Sequence, residues 1–192
     1  MRSTALRDNA SAGEAVPDDP TLSALSEACI ARVASGDPAA LAEVFARFST
    51  DVYRIAFAIT LSPDEADDVV QDVFIGLPEA LHAYHERGRF GAWLGMVAAR
   101  TALMRRRRMH RLTDLPAHAH DDRDASQELV DRLALERALA MLPDDMRTVF
   151  VLKAIEGYSH DEIAHHLGIR RGTAEVRLFR AIRRLRTLLG AD

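Results

Sequence analysis

From Leu41 to Ile59 the apolar residues return at steps of three and four: Leu41, Val44, Phe45, Phe48, Val52, Ile55, Ile59. Only an α-helix puts such a series on one face. The same period recurs along almost the whole chain to Leu188, and nowhere does a strict alternation or a two-residue hairpin signal interrupt it. The chain is therefore expected to be all-α. Breaks in the period are chemically marked. Gly36-Asp37-Pro38 separates a short helix from the long one, and Ser62-Pro63 opens the next, with Ser62 as N-cap and Pro63 at the first helical position. That helix carries an apolar stripe at Ala66, Val69, Val70, Val73, Phe74 and Leu77, opposite an acidic face at Asp64, Asp67, Asp68, Gln71 and Asp72, and Pro78 is placed to kink or end it. A further helix is expected from about Gly91 to Met109.

Two stretches have no period. Residues 1–22 hold Ser, Asn, Gly, Asp and Pro without a period and read as a disordered tail. Residues 112–127, "LTDLPAHAHDDRDASQ", read as a flexible linker. The expected organisation is two small helical domains, 23–111 and 128–192.

Net charge is -4, but the charge is segregated. Arg87 to Arg111 holds eight arginines and no acid, and Gly168 to Asp192 holds seven arginines against two acids. Two basic islands in an otherwise acidic chain suit contact with phosphates, and the acidic remainder suits a basic protein surface. The single cysteine, Cys29, excludes an internal disulfide and fits a reduced, cytoplasmic setting. No apolar run reaches the ~18 residues of a membrane-spanning helix, so no membrane insertion is expected.

In the second domain, "SHDEIAHHLG" has three histidines and two carboxylates within ten residues. The helical zinc pattern H-E-x-x-H places its two histidines four apart, on one face. His160 and His165 are five apart, roughly 500° around the helix, and His165 and His166 are adjacent. No metal and no cofactor is expected. The plainer residues carry the signal. Ser159 and Glu162 form a capping box, Ala164 is small where a second helix must cross, and Gly168 sits at the turn. A longer helix follows, with Ala174, Leu178, Ala181, Leu185 and Leu188 on one stripe. This is a helix-turn-helix pattern. Arg171, Thr173, Arg177, Arg180 and Arg184 lie off the stripe, as contacts to base edges and phosphates require.

No residue set builds a nucleophile, an oxyanion hole or a phosphate cradle, so the chain is not read as an enzyme. Three motifs, in order and spacing, resemble sigma factors of the sigma-70 family, extracytoplasmic-function type: "DEADDVVQDVF", "GRFGAWLGMVAAR" and "LPDDMRTVF…GYSHDEIAHHLGIRRGTAEVRLFRA". The resemblance implies a region 2-like domain followed by a helix-turn-helix region 4-like domain. It implies that Asp68, Gln71, Asp72 and Phe74 bind core RNA polymerase. It implies that Tyr84, Arg89, Arg100, Arg105, Arg106, Arg107 and Arg108 serve the -10 region of promoter DNA, with Tyr84 able to stack on a flipped base and Trp93 packed in the core. It adds Arg170 and Glu175 to the residues facing the -35 element, and it implies an anti-sigma factor as a further partner.

The chain departs from the pattern at Ala99-Arg100 and Met104, where the family has Arg-Asn and Asp. It departs again at Arg170, where the family has an N-cap Ser, and at Glu175-Val176, where it has Lys-Ser. A stand-alone helix-turn-helix regulator and a sigma-like adaptor without promoter-melting activity are the competing readings.

Overall fold

The computed structural model describes residues 26–85, 89–112 and 127–190. The expected tail lies outside them, as do linker residues 113–126. The described residues form α1 (Glu27–Ala34), α2 (Pro38–Thr60), α3 (Pro63–Ile75), α4 (Leu77–Ala80), α5 (Phe90–Leu112), α6 (Gln127–Ala140), α7 (Asp144–Phe150), α8 (His160–Leu167) and α9 (Arg171–Leu189). A single 3₁₀ turn follows α4, and a π-helical turn, Val151–Ile155, extends α7.

The local punctuation works as the residue types dictate. Asp37 caps α2, its carboxylate accepting from the Ala39 and Ala40 N–H groups. Ser62 caps α3 through Glu65 N–H at 3.3 Å, with Pro63 in the first turn. Pro78 does not kink α3: the helix stops at Ile75, and Pro78 is in the first turn of the separate α4, where its missing N–H costs nothing.

Helix α2 is the centre of the first domain. It packs against α1, α3 and α5, and its stripe Val44, Phe48, Val52, Ile55 and Ile59 is buried. In the second domain α7 and α8 pack on α9, and α6 packs along the other end of α9. Leu188, expected on the inward stripe of α9, is 41% exposed. Ala181 and Leu185 meet Ala138, Leu139 and Leu142 of α6 and its end, and Leu188 extends past that cluster.

The two domains do not stand apart. Val149, Val151, Leu152, Tyr158, Ile163 and Ala174 of the second belong to the same buried cluster as Ile55, Trp93 and Leu94 of the first. Tyr158 seats in a notch at Gly95, where a Cβ would lie 2.5 Å from the tyrosine Oη. The hydroxyl donates to Ala92 O at 2.9 Å. Burial pushes the Tyr158 hydroxyl pKa up, so it stays a donor at every physiological pH. Arg147, also from the second domain, reaches across to Ile59 O at 2.7 Å. Arg54 and Glu156 add a two-pronged ion pair across the same seam, with one contact of 3.0 Å.

Candidate nucleic-acid and polymerase interfaces

The helix-turn-helix forms as its punctuation demands. Glu162 N–H donates to Ser159 Oγ at 3.2 Å, and Ser159 N–H donates to Glu162 Oε2 at 2.7 Å, which completes the capping box. Gly168 adopts φ 64°, a left-handed conformation in which a side chain would be strained. Ala164 and Ala174 are buried where α8 and α9 approach. Arg170 precedes α9 with extended backbone and provides no side-chain cap.

Glu162 also receives Arg89 Nη2 at 2.7 Å. Burial works against its charge, but the Ser159 N–H and hydroxyl and the Arg89 guanidinium outweigh it and hold the carboxyl below its usual range. A carboxylate with a lowered folded pKa contributes stability that is present above its unfolded value, about 4.3, and is lost as pH falls through the folded value. Thermal melts of wild type and Glu162→Gln are thus expected to differ at neutral pH and to converge in acid. Ser159→Ala is expected to cost about 1 kcal/mol by denaturant titration.

On α9, Arg180 and Arg184 are exposed, as is Arg170 before it. Arg171 is exposed and pairs with Glu175 at 2.9 Å and Asp161 at 3.1 Å. Its hydrogen bond holds the Glu175 carboxyl below the usual range. Thr173 is half-buried. Arg177 donates to Asp145 of α7 at 2.8 Å. Sequence reasoning passed over Phe179 and Val176, which stand 67% and 48% exposed among these cations. Their spacing, three residues apart and off the Leu stripe, was the available signal.

On α3, Gln71 and Asp72 are exposed and Asp68 is half-exposed. Phe74 is not on this face. It is 5% exposed and packs edge-on against Phe45 with ring centroids 4.9 Å apart. It supports α3 from below. Ile75, one residue on, is the apolar side chain that does project, at 78% exposure.

Helix α5 carries most of the first basic island. Arg100 and Arg108 are exposed. Arg105 turns to α3, pairing with Asp68 and with Asp72 at 3.3 Å. Arg106 is buried, between Glu65 at 3.2 Å and Asp144 at 3.5 Å. Arg107 pairs with Asp145 at 2.6 Å. Before α5, Tyr84 is half-buried against Trp93, with centroids 5.0 Å apart, and against Phe90 at 5.8 Å. Trp93 is a core residue, as expected. Beyond Tyr84, residues 86–88 lie outside the described residues.

Residues 44–112 match the family description Sigma-70 region 2, and residues 132–185 match Sigma-70, region 4. CnrH, an RNA polymerase sigma factor of Cupriavidus metallidurans, is 33% identical over 84% of this chain and 93% of its own length. The extracytoplasmic-function sigma factor SigE of Mycolicibacterium smegmatis is 32% identical over 90% of this chain and 69% of its own. The chain is an extracytoplasmic-function sigma factor of the sigma-70 family.

Among solved structures, CnrH in complex with the cytosolic domain of CnrY is similar at a TM-score of 0.60 and 30% identity, over 86% of this chain and 97% of that one. The sigma factor RpoE of Bartonella quintana, solved with the anti-sigma factor NepR, shares the fold at a TM-score of 0.61 and 23% identity, over 78% and 96% of the two chains.

A sigma factor is not an enzyme. His165 and His166 meet edge-on with ring centroids 5.2 Å apart rather than converging. Among the described residues no group of three or more His, Cys, Asp or Glu side chains could hold a metal ion. No helix among them is long and apolar enough to cross a membrane.

Proposed function

We propose that this sigma factor binds core RNA polymerase through the α3 face of Asp68, Gln71 and Asp72, and promoter DNA through α5 and α9. Helix α5 and the segment beginning at Tyr84 serve the -10 element, with unstacked bases held by stacking rather than by chemistry. Helix α9 enters the major groove at the -35 element, with Arg170, Arg171, Thr173, Glu175, Arg177, Arg180 and Arg184 facing it. The observation that carries this reading is the capped helix-turn-helix, whose second helix is cationic on its outer side, in the same chain as a separate acidic helix face.

The two elements, about 25 base pairs apart by their names, are separated by about 85 Å of duplex at ~3.4 Å per base pair. In the docked arrangement α5 and α9 each place an arginine on Asp145, so the two DNA-facing helices lie far closer together than that. Residues 113–126 reach at most about 50 Å when fully extended. The domains therefore part before both elements are engaged, and polymerase binding supplies the free energy. A protein inhibitor that favours the docked state completes the reading. It is supported by the likeness to CnrH, which was solved with the cytosolic domain of a partner protein.

Run-off transcription with core polymerase on genomic templates tests the proposal. A promoter-specific transcript that depends on this chain is expected. No gain on any template refutes the sigma activity, and a gain that survives removal of residues 128–192 refutes the -35 role of α9. Duplex binding by the chain alone, sequence-specific and indifferent to polymerase, would favour a stand-alone regulator.

A further inference from the structure

The first turn of α7 opens with two carboxylates, Asp144 and Asp145. A helix N-terminus favours acids there in any case. What the dipole does not explain is the identity of their partners. Asp145 accepts Arg107 Nη2 from α5 at 2.6 Å through one oxygen and Arg177 Nη2 from α9 at 2.8 Å through the other. Asp144 accepts Arg106 Nε at 3.5 Å, His110 Nε2 lies 2.9 Å away, and Arg147 completes the set. Arg106 and Arg107 belong to the first basic island and Arg177 to the second. One pair of acids thus holds cations from both surfaces assigned to DNA.

The chemistry matches that of a phosphodiester. Two anionic oxygens on one centre sit between two guanidinium forks, and each fork would grip a phosphate in the same way. The acids lie at the seam where Tyr158 and Arg147 dock the domains, so parting the domains takes Arg107 away from Asp145.

We infer that Asp144 and Asp145 act as an intramolecular competitor for promoter phosphates, occupying arginines of both DNA-facing helices: parting the domains releases those of α5, whereas Arg177, in the same domain as Asp145, leaves it only in exchange for a phosphate. The inference rests on the proposed promoter-binding role of α5 and α9. Asp145 is the carboxylate to test, because Asp144 also serves the buried Arg147. The competition is with phosphate, not with a base sequence, so it acts on any duplex.

The experiment uses the full chain without polymerase and a mixed-sequence duplex of about 30 base pairs, with affinity followed across a salt series. Asp145→Asn is expected to bind about 5–10-fold more tightly than wild type at low salt. Its log–log salt slope is expected to be steeper by about 1–2, because each arginine freed for a phosphate releases roughly 0.9 counterion. Asp145→Ser should reproduce the gain, and unchanged thermal melts confirm that both variants fold.

Glu156→Gln is the control. It weakens the Arg54 pair at the same seam but frees no DNA-facing arginine. Wild-type affinity and slope in Asp145→Asn overturn the inference, as does an equal gain in Glu156→Gln, which would assign the effect to domain opening alone. The run-off assay with polymerase fails separately, and only if the sigma reading itself is wrong.

Discussion

Replacing Arg147 with alanine is expected to destabilise the folded chain by about 3–5 kcal/mol, the usual consequence of breaking a buried charged network. Arg147 is 1% exposed. It donates to Ile59 O at 2.7 Å, to Leu139 O at 3.1 Å and to Leu142 O at 3.4 Å, and it pairs with Asp144. Ile59 is in the last turn of α2, and Leu139 is in the last turn of α6. The last carbonyls of a helix have no partner within it. One guanidinium therefore caps two helix ends that belong to different domains.

Burial pulls the Arg147 pKa down from its ordinary value, and Asp144 opposes that shift. The side chain stays charged, since an arginine is not deprotonated in a protein. Loss of the fork removes the donor that Ile59 O and Leu142 O share, and takes one partner each from Leu139 O, which keeps Leu142 N–H, and from Asp144, which keeps Arg106 and His110. With total stabilities of about 5–15 kcal/mol, such a loss approaches unfolding. At about 2–4 °C per kcal/mol for a chain of this size, the melting temperature should fall by about 6–20 °C. Arg147→Lys is expected to recover little, because an ammonium has no planar fork to span separated acceptors. A melt within about 2 °C of wild type for Arg147→Ala would refute this account of the seam.

The second large effect is expected at Gly95. Alanine normally stabilises a helix interior by about 1 kcal/mol over glycine. Here the added Cβ would lie 2.5 Å from Tyr158 Oη and 3.0 Å from Ile55 Cδ1. Overpacking of this kind costs about 1–3 kcal/mol, which exceeds the helix gain, so Gly95→Ala is expected to be net destabilising. Tyr158→Phe removes the atom that collides. Ala92 O has an acceptor role within α5 as well, so its loss of the tyrosine donor is tolerable.

The double variant Gly95→Ala/Tyr158→Phe is therefore expected to be more stable than Gly95→Ala alone. The coupling should be about 1–2 kcal/mol in a double-mutant cycle. Additive effects in the cycle would show that the notch does not work by steric fit. The same variants should move the domains apart, as a rise in hydrodynamic radius or a fall in energy transfer between labels on α3 and α9.

Local structure was legible because its causes are local. Ser62, Asp37 and the Ser159–Glu162 box declare helix starts through side-chain groups that reach backbone N–H groups two or three residues on. Gly168 declares a turn through its own φ. The site was legible in part. Gln71, Asp72, Arg170, Arg180 and Arg184 are exposed, as a contact surface requires. Phe74 is not. An apolar residue beside a proposed contact face reads the same whether it projects or packs, and only Phe45 decides between the two. Arg105, Arg106 and Arg107 read as one uniform basic run. Yet successive residues on a helix point about 100° apart, and these three meet α3, Glu65 with Asp144, and Asp145 in turn.

The amino-acid sequence by itself determined the helical class, the breaks between helices, the helix-turn-helix and the sign of each surface. Each of these depends on side-chain periodicity or on contacts within a few residues. The tertiary structure alone decided that Tyr158 would meet Gly95, that Arg147 would cap α2, and that Asp145 would hold one arginine from each basic island. Those pairs lie 32 to 88 residues apart. No local pattern encodes a partner at such separation. It follows from how the buried faces of α2, α5, α7 and α9 fit together.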